Sequence, residues 1–250
     1  MCVTVSVITP NYNSADFISE AIQSVIAQSF KDWEMIVVDD CSTDNSVEII
    51  NDIVRNHPKI RFIQLTDNVG AAKSRNIALN EASGRFIAFL DSDDVWHPDK
   101  LTKQVGFMLE NNVGISFTSY EPIDQFGKRK SSIIHSESRL TQSDYLKNTI
   151  IGFSTSMIDT LIVGRDFRMR DMRVRQDASL WISLLGKGFV AEGLDVVLSQ
   201  YRVHKGSISS NKLKSSALTW TLYYRIHKLG FFRSVYYFLW YVFSAVKKRL

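Results

Sequence analysis

The first 120 residues repeat one unit four times: a short β-branched run, a polar turn, then a longer stretch with apolar residues at helical spacing. Residues 3–8 read as a strand ended by Pro10. Ser14 is placed to cap a helix carrying Ile18, Ala21, Ile22, Val25 and Ile26. Residues 34–38 form a second strand. Ser42 or Thr43 then caps a helix with Val47, Ile50 and Val54 on one face. Residues 60–65 and 71–82 repeat the pair, and residues 85–90 make a fourth strand. Pro98 suits the first turn of a fourth helix bearing Leu101, Val105 and Met108. Residues 114–118 read as a fifth strand. Strand–helix alternation of this kind predicts an α/β fold with a mostly parallel, Rossmann-like sheet flanked by helices and joined by right-handed crossovers.

That prediction fixes where a ligand goes, because open α/β sheets bind at the carboxyl ends of their strands. Those ends read 9–12, 39–40, 66–68 and 91–94, and three of the four carry aspartates. Carboxylates crowded on one edge repel each other unless a cation or a hydrogen-bond donor sits among them. Hard oxygen donors suit magnesium or manganese, and magnesium commonly takes one or two carboxylates plus phosphate oxygens. The run Asp91-Ser92-Asp93-Asp94 has that form. Aspartate is also a common turn and helix-start residue, so the run by itself leaves both readings open.

The rest of the chain bounds the class. Its 250 residues are 45% hydrophobic, enough for a sizeable core. The net charge of +4 is too small and too dispersed for a nucleic-acid binder. Two cysteines, Cys2 and Cys41, form no metal-site spacing and suggest a reducing compartment. No basic segment followed by an apolar run opens the sequence, so we expect no signal peptide. No apolar run reaches the length of a spanning helix. Residues 124–139 read as a loop or short hairpin, and a helix is expected from Gln176.

Four blocks together resemble family 2 glycosyltransferases of the GT-A fold: residues 5–13 (VSVITPNYN), 37–44 (VVDDCSTD), 68–76 with Asn68-Val69-Gly70 and Ser74-Arg75-Asn76, and 88–94 (AFLDSDD). The likeness is strong over residues 1–120 and looser to about 215, and within the family it points to bacterial enzymes building O-antigen and related surface polysaccharides. It implies roles. Pro10 and Tyr12 would line the base pocket, and Asp39 would accept a hydrogen bond from a uracil ring. Gly70 would let the backbone approach the nucleotide. Arg75 would lie near base and ribose, and Asp91 near ribose and diphosphate. Asp93 would bind a divalent metal (Mn2+ or Mg2+), with Asp91 a second candidate ligand and Asp94 either a ligand or a helix cap. The block Arg175-Gln176-Asp177-Ala178 is similar to the one carrying the family's catalytic base, which assigns that role to Asp177; the same residue also suits a helix N-cap. Arg202, His204 and Lys212 fall in a late block near the diphosphate. Trp96 and Trp181 are candidates either to stack on sugar or to pack in the core.

By the same resemblance, residues 1–215 form the transferase domain, with a nucleotide-sugar half (1–120) and an acceptor half (121–215). The expected reaction is an inverting transfer from a UDP-sugar to a polyprenyl-diphosphate-linked saccharide. Residues 216–250 form an aromatic tail ending Lys247-Lys248-Arg249. Such a tail suits an amphipathic helix in an anionic membrane interface, or a terminal helix packed on the domain. The expected location is cytoplasmic, peripheral to the inner membrane, with no nucleic-acid partner. Two other classes are weighed. A nucleotidyltransferase would show a Gly-rich basic phosphate loop, and 10–14 is not one. A non-catalytic membrane-associated nucleotide-sugar-binding protein would not need Asp39, Asp91, Asp93 and Asp177 all intact.

Overall fold

The structure is a computed structural model that describes residues 3–204 and 212–247. The donor-side elements are β1 (Val5–Asn11), α1 (Ile18–Ile26), β2 (Trp33–Asp39), α2 (Ser46–Val54), β3 (Ile60–Gln64), α3 (Ala71–Glu81) and β4 (Phe86–Phe89). A short β5 (Val95–Trp96), α4 (Lys100–Glu110) and the long β6 (Ile115–Ile123) follow. The return half comprises β7 (Arg139–Leu140), α5 (Gln142–Lys147), a 3-10 turn at Phe153–Thr155, β8 (Met157–Asp159), α6 (Thr160–Val163), α7 (Gln176–Gly186) and β9 (Ala191–Arg202). The chain closes with α8 (Lys212–Thr221), a π-helical turn at Leu222–Ile226 and α9 (Phe231–Lys247).

One sheet runs β3-β2-β1-β4-β8-β6-β9-β5, with β7 paired to β9. The β1–β2, β2–β3 and β1–β4 pairs are parallel, as the alternation predicts. β8 is inserted antiparallel to both β4 and β6, and β9 returns parallel to β6. Both faces are covered, because successive residues of a strand point to opposite sides. Val5, Val7, Met35 and Val37 pack with α1, α2 and α4. Ile8, Ile36 and Val38 pack with α3, α5, α7 and Tyr223.

Three local expectations are corrected. β1 does not end before Pro10 but continues to Asn11. Its β4 neighbour stops at the Ile8–Phe89 pair, so Pro10 sits where the strand has lost a partner on that side. Ser14 does not cap α1 with its side chain, and neither Ser42 nor Thr43 caps α2. Those polar groups bind across loops at the strand ends, as described below. Residues 124–139 do form a hairpin-like return, bridged to β6 at Tyr120–Ile134 and Ile123–Arg129.

The tail both packs and stays open. Tyr223 is fully buried and donates to the Leu146 carbonyl at 2.6 Å. Tyr237 and Phe238 pack on the same core, and Tyr237 reaches Ser143 at 3.3 Å. Phe231, Phe232, Tyr236, Leu239, Trp240 and Phe243 remain exposed on the other side of α9. Among the described residues no helix is long and apolar enough to cross a membrane.

Candidate active site

At the ends of β1 and β2 the backbone is held open by a small polar clamp. Asn11 and Asp39 are register partners, and the Asn11 amide donates to Asp39 Oδ1 at 2.7 Å. Ser42 donates to the same carboxylate from Oγ at 2.5 Å and from its backbone N–H at 2.9 Å. Asn13 closes the loop, donating from its N–H to Ser42 Oγ and accepting from Thr43 N–H at 2.8 Å. Asn13 and Cys41 both adopt left-handed φ, 49° and 63°. Asparagine tolerates that region, and for cysteine it costs about 1 kcal/mol or more. The clamp buries Pro10 and presents Tyr12, which is 49% exposed. The Asp39 side chain is fully buried, with Oδ1 taking two of these hydrogen bonds and Oδ2 one.

The neighbouring carboxylate was given no role from sequence. Asp40 accepts from the backbone N–H of Val69 at 2.7 Å and of Gly70 at 2.8 Å. It thereby fixes the entry to α3. Gly70 has φ +88° and ψ 151°, a combination essentially confined to glycine, and open space where a side chain would be. The signal was present: a second aspartate at a strand end, followed one unit later by Asn-Val-Gly.

Arg75 on α3 is buried and ion-paired to Asp91 Oδ1. Its guanidinium lies 4.7 Å from the centre of the Phe153 ring, and its Nε has no hydrogen-bond partner. Thr9 Oγ1 and Asn11 Oδ1 are likewise buried and unpaired. Native proteins leave few such atoms, and water or a polar ligand can pair them.

The 91–94 turn divides its four side chains. Asp91 and Asp93 are each about one-third exposed. Burial, and then the Asp91 charge, push the Asp93 carboxyl up, while His204 Nε2 at 3.1 Å opposes the shift. Ser92 meets Ser14 at 2.9 Å. Asp94 points inward and is 1% exposed. It accepts from Ser154 Oγ at 2.5 Å and from the Arg202 backbone N–H at 2.9 Å. Burial first, then Asp93 and Asp91, hold its pKa well above the usual carboxylate range. Neither expectation for Asp94 survives: it is too enclosed to ligate a metal, and α4 begins six residues later behind Asp99. It is a strut. Ser154, which sequence reading missed, is the joint, because its Oγ also accepts from the Asp91 N–H at 3.0 Å.

Arg202 is corrected as well. It is buried, ion-paired to Glu20, and donates to the carbonyls of Asp93 at 2.8 Å, Asp124 at 3.2 Å and Gln125 at 3.3 Å. It braces the turn rather than meeting phosphate. His204 stands beside Asp93 and 5.1 Å from the Phe17 ring. Lys212 opens α8, and its side chain lies outside the described residues, as does the 207–211 part of that block.

Asp177 lies in the first turn of α7, half-buried, and is not the N-cap; Arg175 is, at left-handed φ 62° with no side-chain cap. No hydrogen bond reaches its carboxylate from the described residues. Trp181, one turn along the same face, is fully buried against Phe89 and Phe153. Trp96 is buried too, its indole N–H donating to the Ser154 carbonyl at 2.7 Å. Both tryptophans are therefore core residues and do not stack on sugar. Through Trp181, the α7 face that carries Asp177 is seated on the end of β4, two residues before Asp91.

Among the described residues no group of three or more His, Cys, Asp or Glu side chains forms a ready metal cage. Asp91 and Asp93 nonetheless fit a hard divalent cation of the kind that completes its shell with phosphate oxygens and water. Their mutual repulsion is what such a charge relieves.

Residues 6–169 match the family described as Glycosyl transferase family 2. A glycosyltransferase described as acting in teichuronic acid biosynthesis, TuaG of Bacillus subtilis (strain 168), is 47% identical over 98% of this chain and 97% of its own length. The Escherichia coli UDP-Glc:alpha-D-GlcNAc-diphosphoundecaprenol beta-1,3-glucosyltransferase WfgD is 35% identical over 98% of this chain and 94% of its own. The fold is also that of the Pyrobaculum calidifontis mannosyltransferase PcManGT, solved with GDP-Man and Mn2+, with a TM-score of 0.73 at 20% identity over 92% of this chain and 66% of that one. The chain belongs to glycosyltransferase family 2 and is a glycosyltransferase of the GT-A fold.

Proposed function

We propose that the enzyme moves a sugar from a UDP-sugar to a polyprenyl-diphosphate-linked saccharide, with inversion, in the assembly of O-antigen or a related surface polysaccharide. The observation that carries the reading is the row Arg75–Asp91–Asp93–His204, set on the carboxyl edge of the sheet by Ser154 and Asp94. The chain covers nearly the full length of a relative whose name specifies UDP-glucose and a GlcNAc-diphosphoundecaprenol acceptor.

Residues 1–120 take the donor. Tyr12 is the exposed face at the base pocket, with Pro10 backing it. Asp39 and Asp40 shape the loops that receive the nucleoside, and Gly70 gives the backbone room beside it. Arg75 and Asp91 meet the ribose and diphosphate. Asp93, with Asp91, would hold the divalent cation, manganese or magnesium, whose charge neutralises the leaving diphosphate. Residues 121–215 receive the acceptor. Asp177, which no described residue hydrogen-bonds, takes the proton from the acceptor hydroxyl as that oxygen attacks the anomeric carbon. Buried Trp181 keeps the helix start in place.

The tail, residues 216–250, gives the enzyme its surface. The outer aromatic stripe of α9 suits a bilayer interface. Residues 216–250 contain no acidic residue and six lysines and arginines: Arg225, Lys228, Arg233, Lys247, Lys248 and Arg249. That balance suits the anionic inner face of the cytoplasmic membrane, where lipid-linked acceptors reside. Vesicles containing phosphatidylglycerol are expected to sediment the protein, and Phe232→Ser with Trp240→Ser to abolish this; equal sedimentation of that variant removes the docking role.

A panel of UDP-sugars, offered with GlcNAc-diphosphoundecaprenol as acceptor, tests the reaction. One donor is expected to be turned over, with free UDP and an extended lipid-linked product in equal amounts. Failure of every UDP-sugar, in the presence of manganese, sinks the donor assignment.

A further inference from the structure

Arg175 and Tyr241 are 66 positions apart in the chain and meet beside the start of α7. Arg175 Nη2 donates to the Tyr241 hydroxyl at 2.9 Å, and the guanidinium carbon lies 5.7 Å from the centre of the Tyr241 ring. Arg175 is held in left-handed backbone at φ 62°, immediately before the α7 turn that carries Asp177. A non-glycine residue stays in that region only where its surroundings hold it, and such residues cluster at working sites. Tyr241 is itself seated, because α9 packs by its inner face: Ser234 is fully buried, and Tyr237 and Phe238 lie on the core.

The electrostatics agree with the geometry. Burial alone would weaken the Arg175 cation, yet Tyr241, Asp177 and Tyr145 hold its pKa above the ordinary arginine value. Tyr145, fully buried on α5, is pushed well up by burial and then by the Asp177 charge, with Arg175 opposing. A hydroxyl acceptor fixes the guanidinium fork without cancelling its charge.

We propose that Tyr241 is a positioning residue for sugar transfer: by holding Arg175, the residue that opens α7, it fixes the first turn on which Asp177 stands. This rests on the reading of Asp177 as the base. Tyr241 touches neither donor nor acceptor. Its effect belongs to the chemical step and spares donor binding.

The test uses the full chain, manganese, and the UDP-sugar that the unmodified enzyme turns over fastest. Tyr241→Phe keeps the ring and removes the hydroxyl. It is expected to leave UDP affinity and donor KM within about twofold and to lower kcat roughly ten- to a hundredfold, the usual cost of a displaced catalytic group. Arg175→Ala is expected to lower kcat at least as far, and Tyr241→Phe added to Arg175→Ala to cost less than the sum of the two single losses. Should Tyr241→Phe melt early, Arg175→Lys reads the same contact by keeping the charge and losing the fork, with the same fall in kcat expected. Unmodified kcat in Tyr241→Phe or in Arg175→Lys overturns the proposal, as does an additive loss in the double variant. Absence of UDP binding by the unmodified enzyme instead overturns the donor reading, and this proposal with it.

Discussion

At the ends of β1 and β2 the site is held by partners 28 to 30 residues apart: Asn11 with Asp39, Asn13 with Ser42 and Thr43, Asp40 with Gly70. Beneath the 91–94 turn the separations are 60 for Ser154 with Asp94, 108 for Arg202 with Asp94 and 111 for His204 with Asp93. The first set follows the repeat of one strand–helix unit. The second exists only because β8 and β9 return to the sheet beside β4 and β6. The difference teaches where stability and function are shared. On the donor edge each loop is fixed by its neighbour in the repeat. The 91–94 turn is fixed by Ser154, Arg202 and His204 of the return half, so its geometry depends on the whole fold closing.

The sharpest way to break that comparison is through Asp177, whose placement depends on the return half. Asp177→Asn is expected to lower kcat by roughly 10²- to 10⁴-fold, the range for a lost general base, while UDP binding stays intact. Full transfer activity in that variant removes the base assignment. Next is Arg202→Met, which takes a buried cation from three carbonyls and from Glu20. A loss of about 3 kcal/mol is expected in urea unfolding. Ser42→Ala on the donor edge, where Asn11 still serves Asp39, is expected to cost about 1 kcal/mol. Equal losses would erase the contrast. Ser154→Ala deprives buried Asp94 of one of its two donors, with about 2 kcal/mol expected, and weakens the hold on Asp91. Its UDP affinity in manganese is expected to fall, while that of Ser42→Ala changes less.

The smallest effect is a pH slope. Lys100 on α4 is fully buried, donates to Gln104 at 2.7 Å, and through Gln104 is tied to the Thr155 carbonyl of the same turn that holds Ser154. Burial lowers its pKa to about 7, from 10.5 in a solvated chain. Between those values the unfolded chain binds more protons than the folded one, so stability rises with pH there. About 1 kcal/mol is expected to be gained from pH 7 to pH 8, and Lys100→Met to flatten the slope over that interval. An unchanged slope in the variant would place its origin elsewhere.

Legibility in the sequence follows the same division. The parallel strands and helices of the first 120 residues are readable because each is a local period bounded by turn residues. The carboxylate edge is readable because strand order puts those ends side by side. β8, only Met157–Asp159, carries too few residues to show a period. The loss of Asp94 as a ligand candidate could not be read, because its two donors come from residues 154 and 202. Arg202 looks like any basic residue near a phosphate until its four partners are seen. Trp181 illustrates the converse: packing and stacking leave the same letter, and only its burial decides. Ser14, Ser42 and Thr43 are placed for caps by spacing, yet the loop-to-loop clamp uses them, since that clamp needs short hydroxyls at the same positions.

The central claim is that Asp93, with Asp91, holds a donor diphosphate through a divalent cation. Calorimetric titration of UDP into the protein with and without manganese, repeated on Asp93→Asn, tests it most directly. The account predicts binding that requires manganese and is lost or weakened by at least roughly a hundredfold in Asp93→Asn, as expected for removal of a metal-bearing charge. Equal UDP affinity with and without the metal, or an Asp93→Asn variant that binds as the unmodified protein does, contradicts it.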